Sequence, residues 1–392
     1  MRRMLIVVAA AVLAAACEPG SSPMTQVVTD VPMSGTSKGG DPFGEPSSIW
    51  AGSWFQPDTT LGRSELLPRL FVADDEVLVV FEQNRGTTIA GERYDPVTGT
   101  ATRIAPSGLD WRANAAMVWT GNELLVVGGS NGPGIKRIGA AYNPAEDSWR
   151  PLPDPPRRLD AWDDAITGPA MWSGTEMLIY REGLAFKPTT DEWSSISLPP
   201  GPTRSFEVTA WTGSELVVWG GCDASIGQCD DIGEGFFTHG VGYDPATDRW
   251  RELAGSPLAP GVHPQAVWRG NELLVYAGTA SPEADPTVAA YNPATDSWRA
   301  LTNAPLAPRR YATASWTGQY FVLWGGSTLG EGVEFGDGAA YHPETDNWFA
   351  LPPAPEGAER DRHAMVWIHG QLYISGGFQT TGPLVFKPEL TG

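Results

Sequence analysis

Residues 289–301 read AAYNPATDSWRAL. The same phrase returns as AAYNPAEDSWRPL at 140–152, VGYDPATDRWREL at 241–253 and AAYHPETDNWFAL at 339–351. Each copy holds an aromatic residue, a proline turn, an aspartate and a tryptophan in fixed order. Asn292 and Pro293 favour the first positions of a turn, and Asp296 is suited to accept backbone N–H groups. A four-residue loop from Pro293 to Asp296 predicts that Tyr291 stands opposite Trp298 as a cross-strand pair on one sheet face.

The aromatic position recurs at Tyr94, Tyr142, Phe186, Tyr243, Tyr291, Tyr341 and Phe386, at intervals of 48, 44, 57, 48, 50 and 45 residues. In five units a tryptophan follows seven residues later, at Trp149, Trp193, Trp250, Trp298 and Trp348. Ahead of each lies a second signature, as in MVWTGNELLVVGG from 117, AWTGSELVVWGG from 210 and SWTGQYFVLWGG from 315. It reads as a strand ending in Trp, a tight turn and an apolar strand ending in Gly-Gly. Four short strands per unit follow. With 46 glycines and 35 prolines, turns are frequent, and the chain is expected to be all-β.

Double glycine, spaced Tyr and Trp, and about 50 residues per unit resemble kelch repeats, each of which builds one four-stranded blade of a β-propeller. The resemblance runs from about residue 48 to the end. Unit 3 has Arg181-Glu182-Gly183 where Gly-Gly is expected, and unit 1 has Ala101 in the Trp slot. The seventh unit ends before its fourth strand. The segment SSIWAGSWF, 47–55, is expected to supply that strand, with Trp50 or Trp54 in the slot. The expected architecture is a seven-bladed propeller closed by an N-terminal strand, with six blades the alternative if unit 1 is irregular.

The chain opens MRRMLIVVAAAVLAAACEPGSS, two arginines and an apolar stretch ending in small residues before Cys17. The stretch is too short to span a bilayer. It resembles a bacterial lipoprotein signal, with Ala14 where such signals usually carry Leu. The implied organisation is a signal peptide over 1–16, a lipidated Cys17 with a Pro/Gly/Ser-rich tether over 17–46, and the propeller over 47–392. The protein is then expected to be exported and anchored on the outer face of the membrane, or secreted if Cys17 carries no lipid. Cys222 and Cys229 suggest a small disulfide in an exported protein, with a metal site as the rival reading.

A net charge of −20 argues against nucleic acid as a partner. No metal or other cofactor is expected. The tryptophans of the repeat read as core, whereas Trp111 and Trp162 fall outside it. Polar residues gather just before first strands, among them Arg112, Arg157, Arg204, His263, Arg309, Tyr311, Arg360, Arg362 and His363. In kelch repeats an arginine here belongs to the ordinary pattern, which implies structural pairing with loop carboxylates. The sharper reading is a ring of guanidinium groups at the channel mouth, gripping a carboxylate or phosphate, with Trp111 and Trp162 as stacking platforms. The function expected is binding of a protein, peptide or glycan by a monomer through its loop face. The alternative is an enzyme acting on acidic sugars, as sialic-acid epimerases of this propeller class do, with Glu207 and His263 as the acid–base pair. A copper oxidase resembling galactose oxidase fits less well, because it needs a free cysteine.

Overall fold

A computed structural model describes residues 50–57, 68–81, 89–110, 114–129, 139–156, 169–226, 235–278, 285, 287–329, 332–377 and 382–389. Seven four-stranded antiparallel sheets span 69–103, 116–151, 171–195, 208–252, 265–300, 313–350 and 363–388, and are numbered here as blades 1 to 7. Strand Gly52–Phe55 completes blade 7 by pairing with Leu384–Pro388, in the register Trp54↔Phe386. Blade 1 is as regular as the rest, so the ring has seven blades.

Each first strand touches the first strand of the next blade, and the contact between blades 7 and 1 closes the circle. First strands therefore line the axis. Second strands such as Leu124–Val127 are wholly buried, while fourth strands such as Ser148–Pro151 are half exposed. Side chains alternate across each sheet and pack against both neighbours, so the apolar core is a series of seams between blades.

The repeated phrase builds those seams. Tyr291 pairs with Trp298 as expected, with ring centroids 5.0 Å apart. Asp296 takes a left-handed conformation (φ 47°) and accepts the Tyr291 hydroxyl at 2.7 Å. Its other bond is not local. Asp296 accepts the backbone N–H of Ala254 in the preceding blade at 3.0 Å, and the Trp298 indole donates to the Ala254 carbonyl at 3.0 Å. Asp and Trp thus clasp one backbone unit of the neighbouring blade. Asp147 and Trp149 hold Ala105 in the same way, Asp248 and Trp250 hold Ser197, and Asp346 and Trp348 hold Thr302.

Where the clasped residue is proline it has no N–H to give. The indole bond then remains alone, from Trp193 to Pro153 and from Trp54 to Pro352. In both of those blades the aromatic is phenylalanine, Phe186 or Phe386, with no hydroxyl to orient an aspartate.

Blade 3 lacks Gly-Gly because its second strand runs straight into a 3₁₀ turn, Tyr180–Glu182. Gly183 ends that turn at φ 62° and leads into Leu184–Lys187. In blades 2, 4, 6 and 7 the double glycine lets backbone approach backbone. A Cβ on Gly326 (φ 98°) would lie 2.6 Å from the Arg310 carbonyl oxygen.

Candidate functional site

Antiparallel pairing puts the leads into the first strands and the loops after Gly-Gly at one end of the propeller. Seven residues before each first-strand tryptophan stand Arg112, Arg204, Gly261, Arg309 and Arg360 in blades 2, 4, 5, 6 and 7. The structure corrects the sharper reading of the arginines. Arg204, Arg309 and Arg360 are buried, Arg360 completely, and point into the protein. Each donates Nη1 to the carbonyl of the first loop glycine sixteen residues on: Gly220 at 2.8 Å, Gly325 at 3.1 Å and Gly376 at 3.3 Å. Arg204 also lies over the Phe237 ring, and Arg309 over Phe335.

These arginines are struts that hold the Gly-Gly corner. Arg309 adds a two-pronged ion pair with Asp337. Burial draws the Arg360 pKa down to about 10, against the fields of Glu334 and Glu359. In blade 5 the arginine is replaced by Gly261, whose backbone presses so closely on Ala277 that a Cβ would lie 2.2 Å from its carbonyl oxygen. His363 is also buried, beside Thr313 and edge-on to Trp324, and burial followed by the Arg360 charge lowers its pKa, keeping it neutral.

Two residues past the strut position lies a second ring of equivalent residues: Asn114, Phe206, His263, Tyr311 and Arg362. All five have positive φ, between 51° and 60°. Four of them touch in succession across four blades. Phe206 meets His263 edge-to-face at 4.3 Å, and His263 stacks on Tyr311 at 3.9 Å. The Arg362 guanidinium lies 3.8 Å from the Tyr311 ring centre. Arg362 is also paired with Asp361 at 3.0 Å, and Asp361 accepts the Ser327 hydroxyl. The backbone conformation is costly for bulky side chains, yet it turns each one towards its neighbour on the adjoining blade. His263 and Tyr311 are nearly covered, while Phe206 and Arg362 at the ends of the arc are partly exposed.

The arc brings together His263, Tyr311 and Arg362 from the sequence expectations and adds Phe206. Phe206 escaped notice because an apolar residue before an apolar strand reads as core. Its signal is register, since it stands two residues after Arg204 just as Tyr311 stands two after Arg309.

Glu207 is not available as an acid or base beside His263. It is buried, ion-paired with Arg181 and bonded to the Tyr180 hydroxyl. Burial opposes the Arg181 charge, but Glu207 outweighs it and holds the Arg181 pKa above the ordinary value. The pair ties the blade 3 turn to blade 4. Trp111, Arg112, Arg157, Trp162, Cys17 and Cys229 lie outside the described residues; Cys222 is disulfide-bonded. Among the described residues no group of three or more His, Cys, Asp or Glu is placed to hold a metal ion. A concavity of about 540 Å³ at the opposite end is lined by Asp74, Asp75, Glu76, Arg93 and His369 among others.

The KLHDC2/KLHL20/DRC7 Kelch-repeats domain family matches residues 170–377, and the Kelch motif matches residues 112–156. No curated protein matches the chain.

Proposed function

We propose, because this chain belongs to the kelch-repeat domain family, that its propeller is a rigid binding module whose arc-bearing end receives a protein segment or peptide. The observation that carries this reading is the arc Phe206–His263–Tyr311–Arg362. Strained backbone at four successive blades holds a run of contacting rings at one end of the axis, with Phe206 and Arg362 partly exposed at its two ends. Aromatic and arginine side chains are the groups that most often anchor protein contacts. They are already fixed by their neighbours, so little side-chain entropy is lost on binding. Cys17 would tether the propeller to the outer face of a membrane, with residues 18–46 as the leash.

A peptide library displayed on phage and selected on the full chain tests the proposal. Selected peptides should lose at least tenfold in affinity for Tyr311→Asn. Asparagine is chosen because Asn114 holds the same conformation at the equivalent place in blade 2. Peptides that bind this variant as well as the wild type would count against the arc.

A further inference from the structure

Two repeat positions that are apolar in every other blade become polar at the seam between blades 7 and 1, and a third, elsewhere large, becomes serine. Two residues before the repeated aromatic, blades 2 to 7 carry Ala140, Leu184, Val241, Ala289, Ala339 and Leu384; blade 1 carries Glu92. Tyr373 stands where Leu78, Leu125, Leu178, Val217, Leu274 and Val322 stand in the other second strands. Ser375, two residues on, replaces valine, tryptophan or tyrosine. By strand alternation Glu92 faces blade 7, and Tyr373 and Ser375 face blade 1, so all three changes fall on one seam.

A fourth group joins them. The clasp aspartate expected five residues after Tyr94 is Gly99, so the Tyr94 hydroxyl lacks the partner that Tyr142, Tyr243, Tyr291 and Tyr341 have. Its ring stacks on Tyr373 at 4.3 Å. Both Glu92 oxygens and the Tyr94 hydroxyl oxygen are buried with no hydrogen-bond partner among the described residues, and the buried Tyr373 hydroxyl has only that of Ser375 beside it. Glu92 is only 1% exposed. Around them lie Val77, Val79 and Phe81 of blade 1 and Ile368 and Val385 of blade 7.

Buried polar groups left unpartnered are costly, and a lone buried carboxylate more so. A neutral carboxyl differs, because it has one O–H to give and keeps acceptor capacity. Three hydroxyls that rotate can complete a ring with it. The charged group that reaches Glu92 is Arg103, its cross-strand partner on the exposed fourth strand. From blade 7 the seam presents Tyr373 and Ser375, and from blade 1 Tyr94. One carboxylate among hydroxyls suits a proton better than a hard cation, which seeks several charged oxygens.

We propose that Glu92 is a proton-operated catch on the seam that joins the first blade to the last. With the proton on, Glu92 serves as donor and acceptor to the hydroxyls and the seam is tight; with the proton off, the carboxylate draws in water and the seam opens more readily. Burial, working against the Arg103 field, lifts the Glu92 pKa to about 7 in the closed seam. In an opened, solvated seam it returns towards the ordinary glutamate value. Closed and opened states therefore bind protons differently between about pH 4.5 and about pH 7. The seam is tightest in acid, loosens across that interval and is steady above it.

Amide hydrogen exchange on the full chain, corrected for intrinsic rates, tests the catch. Protection of peptides covering 76–81 and 371–376 should fall by roughly one to two orders of magnitude from pH 5 to pH 8, while the blade 5/6 seam keeps its protection. In Glu92→Gln, and in Glu92→Ala, which restores the alanine of blades 2, 5 and 6, the fall should vanish. A wild-type seam with the same protection at both pH values would overturn the proposal. So would a fall that persists in both variants, or one that calcium chloride reverses at pH 8.

Discussion

Trp54 donates its indole N–H to the Pro352 carbonyl at 2.9 Å, across 298 residues of sequence. It stands to blade 6 as Trp298 stands to Ala254 of blade 4, so an N-terminal residue completes the clasp of the C-terminal blade. Trp54→Phe keeps a ring and loses the N–H, and should cost about 1 kcal/mol. Trp54→Ala also loses packing against Phe386 and Trp324 and should cost about 3 kcal/mol. Urea unfolding measures both. Equal costs would mean that the indole bond, and not the ring, holds the strand.

The arginine struts give a second expectation. Arg309→Ala leaves the Gly325 carbonyl and Asp337 without their donor and opens a hole beneath Phe335. It should destabilise the protein by about 2–4 kcal/mol. Arg309→Lys should recover only part of this, because one ammonium cannot span the Ala307, Gly325 and Asp337 acceptors. An Arg309→Ala protein as stable as wild type would return the residue to the ligand-gripping role.

Acid stability rests on the clasps. Backbone and tyrosine hydrogen bonds hold the Asp147 and Asp248 carboxyls below their ordinary pKa; Asp296 and Asp346 lie below it too, although partial burial acts the other way. Their folded pKa values are depressed, so the stability they contribute is present above the unfolded value near 3.9 and is lost as pH falls through the folded ones. Glu92 has the opposite sign: its raised pKa makes stability fall as pH rises from about 4.5 to about 7, by roughly 3 kcal/mol. Thermal unfolding should therefore peak in mild acid. Tyr291→Phe, which removes one bond to Asp296, should lower stability by about 1 kcal/mol without moving that peak. Glu92→Gln should flatten its alkaline side.

The fold could be read from the repeat because the residues that set it are local and periodic. Tyr291, the proline turn and Trp298 fix a hairpin, and Gly-Gly fixes a corner. The aromatic pattern of residues 47–55 likewise marks the strand that pairs with Leu384–Pro388. The partner of the motif was not legible: the sequence marks Asp296 as an acceptor of backbone N–H groups, but only the packing of neighbouring blades brings it to Ala254, 42 residues away. The site was harder still. A guanidinium before a strand has the same sequence whether it points inward or to the axis, and only the chain path sends Arg204, Arg309 and Arg360 inward. Glu207 reads as available because its partners Arg181 and Tyr180 sit in blade 3, where Arg181-Glu182-Gly183 replaces the Gly-Gly signature. The arc depends on a backbone conformation that no residue type announces, least of all Phe206 and Tyr311 at φ near 60°.

The most direct measurement is a hydrogen-exchange footprint of a selected peptide on the full-length protein. The arc predicts new protection at 204–208, 262–266, 310–314 and 361–365, fading in Tyr311→Asn. It predicts none at the opposite end, around Asp74 and His369. Protection confined to that opposite end, or spread over the outer strands and unchanged in Tyr311→Asn, would contradict it.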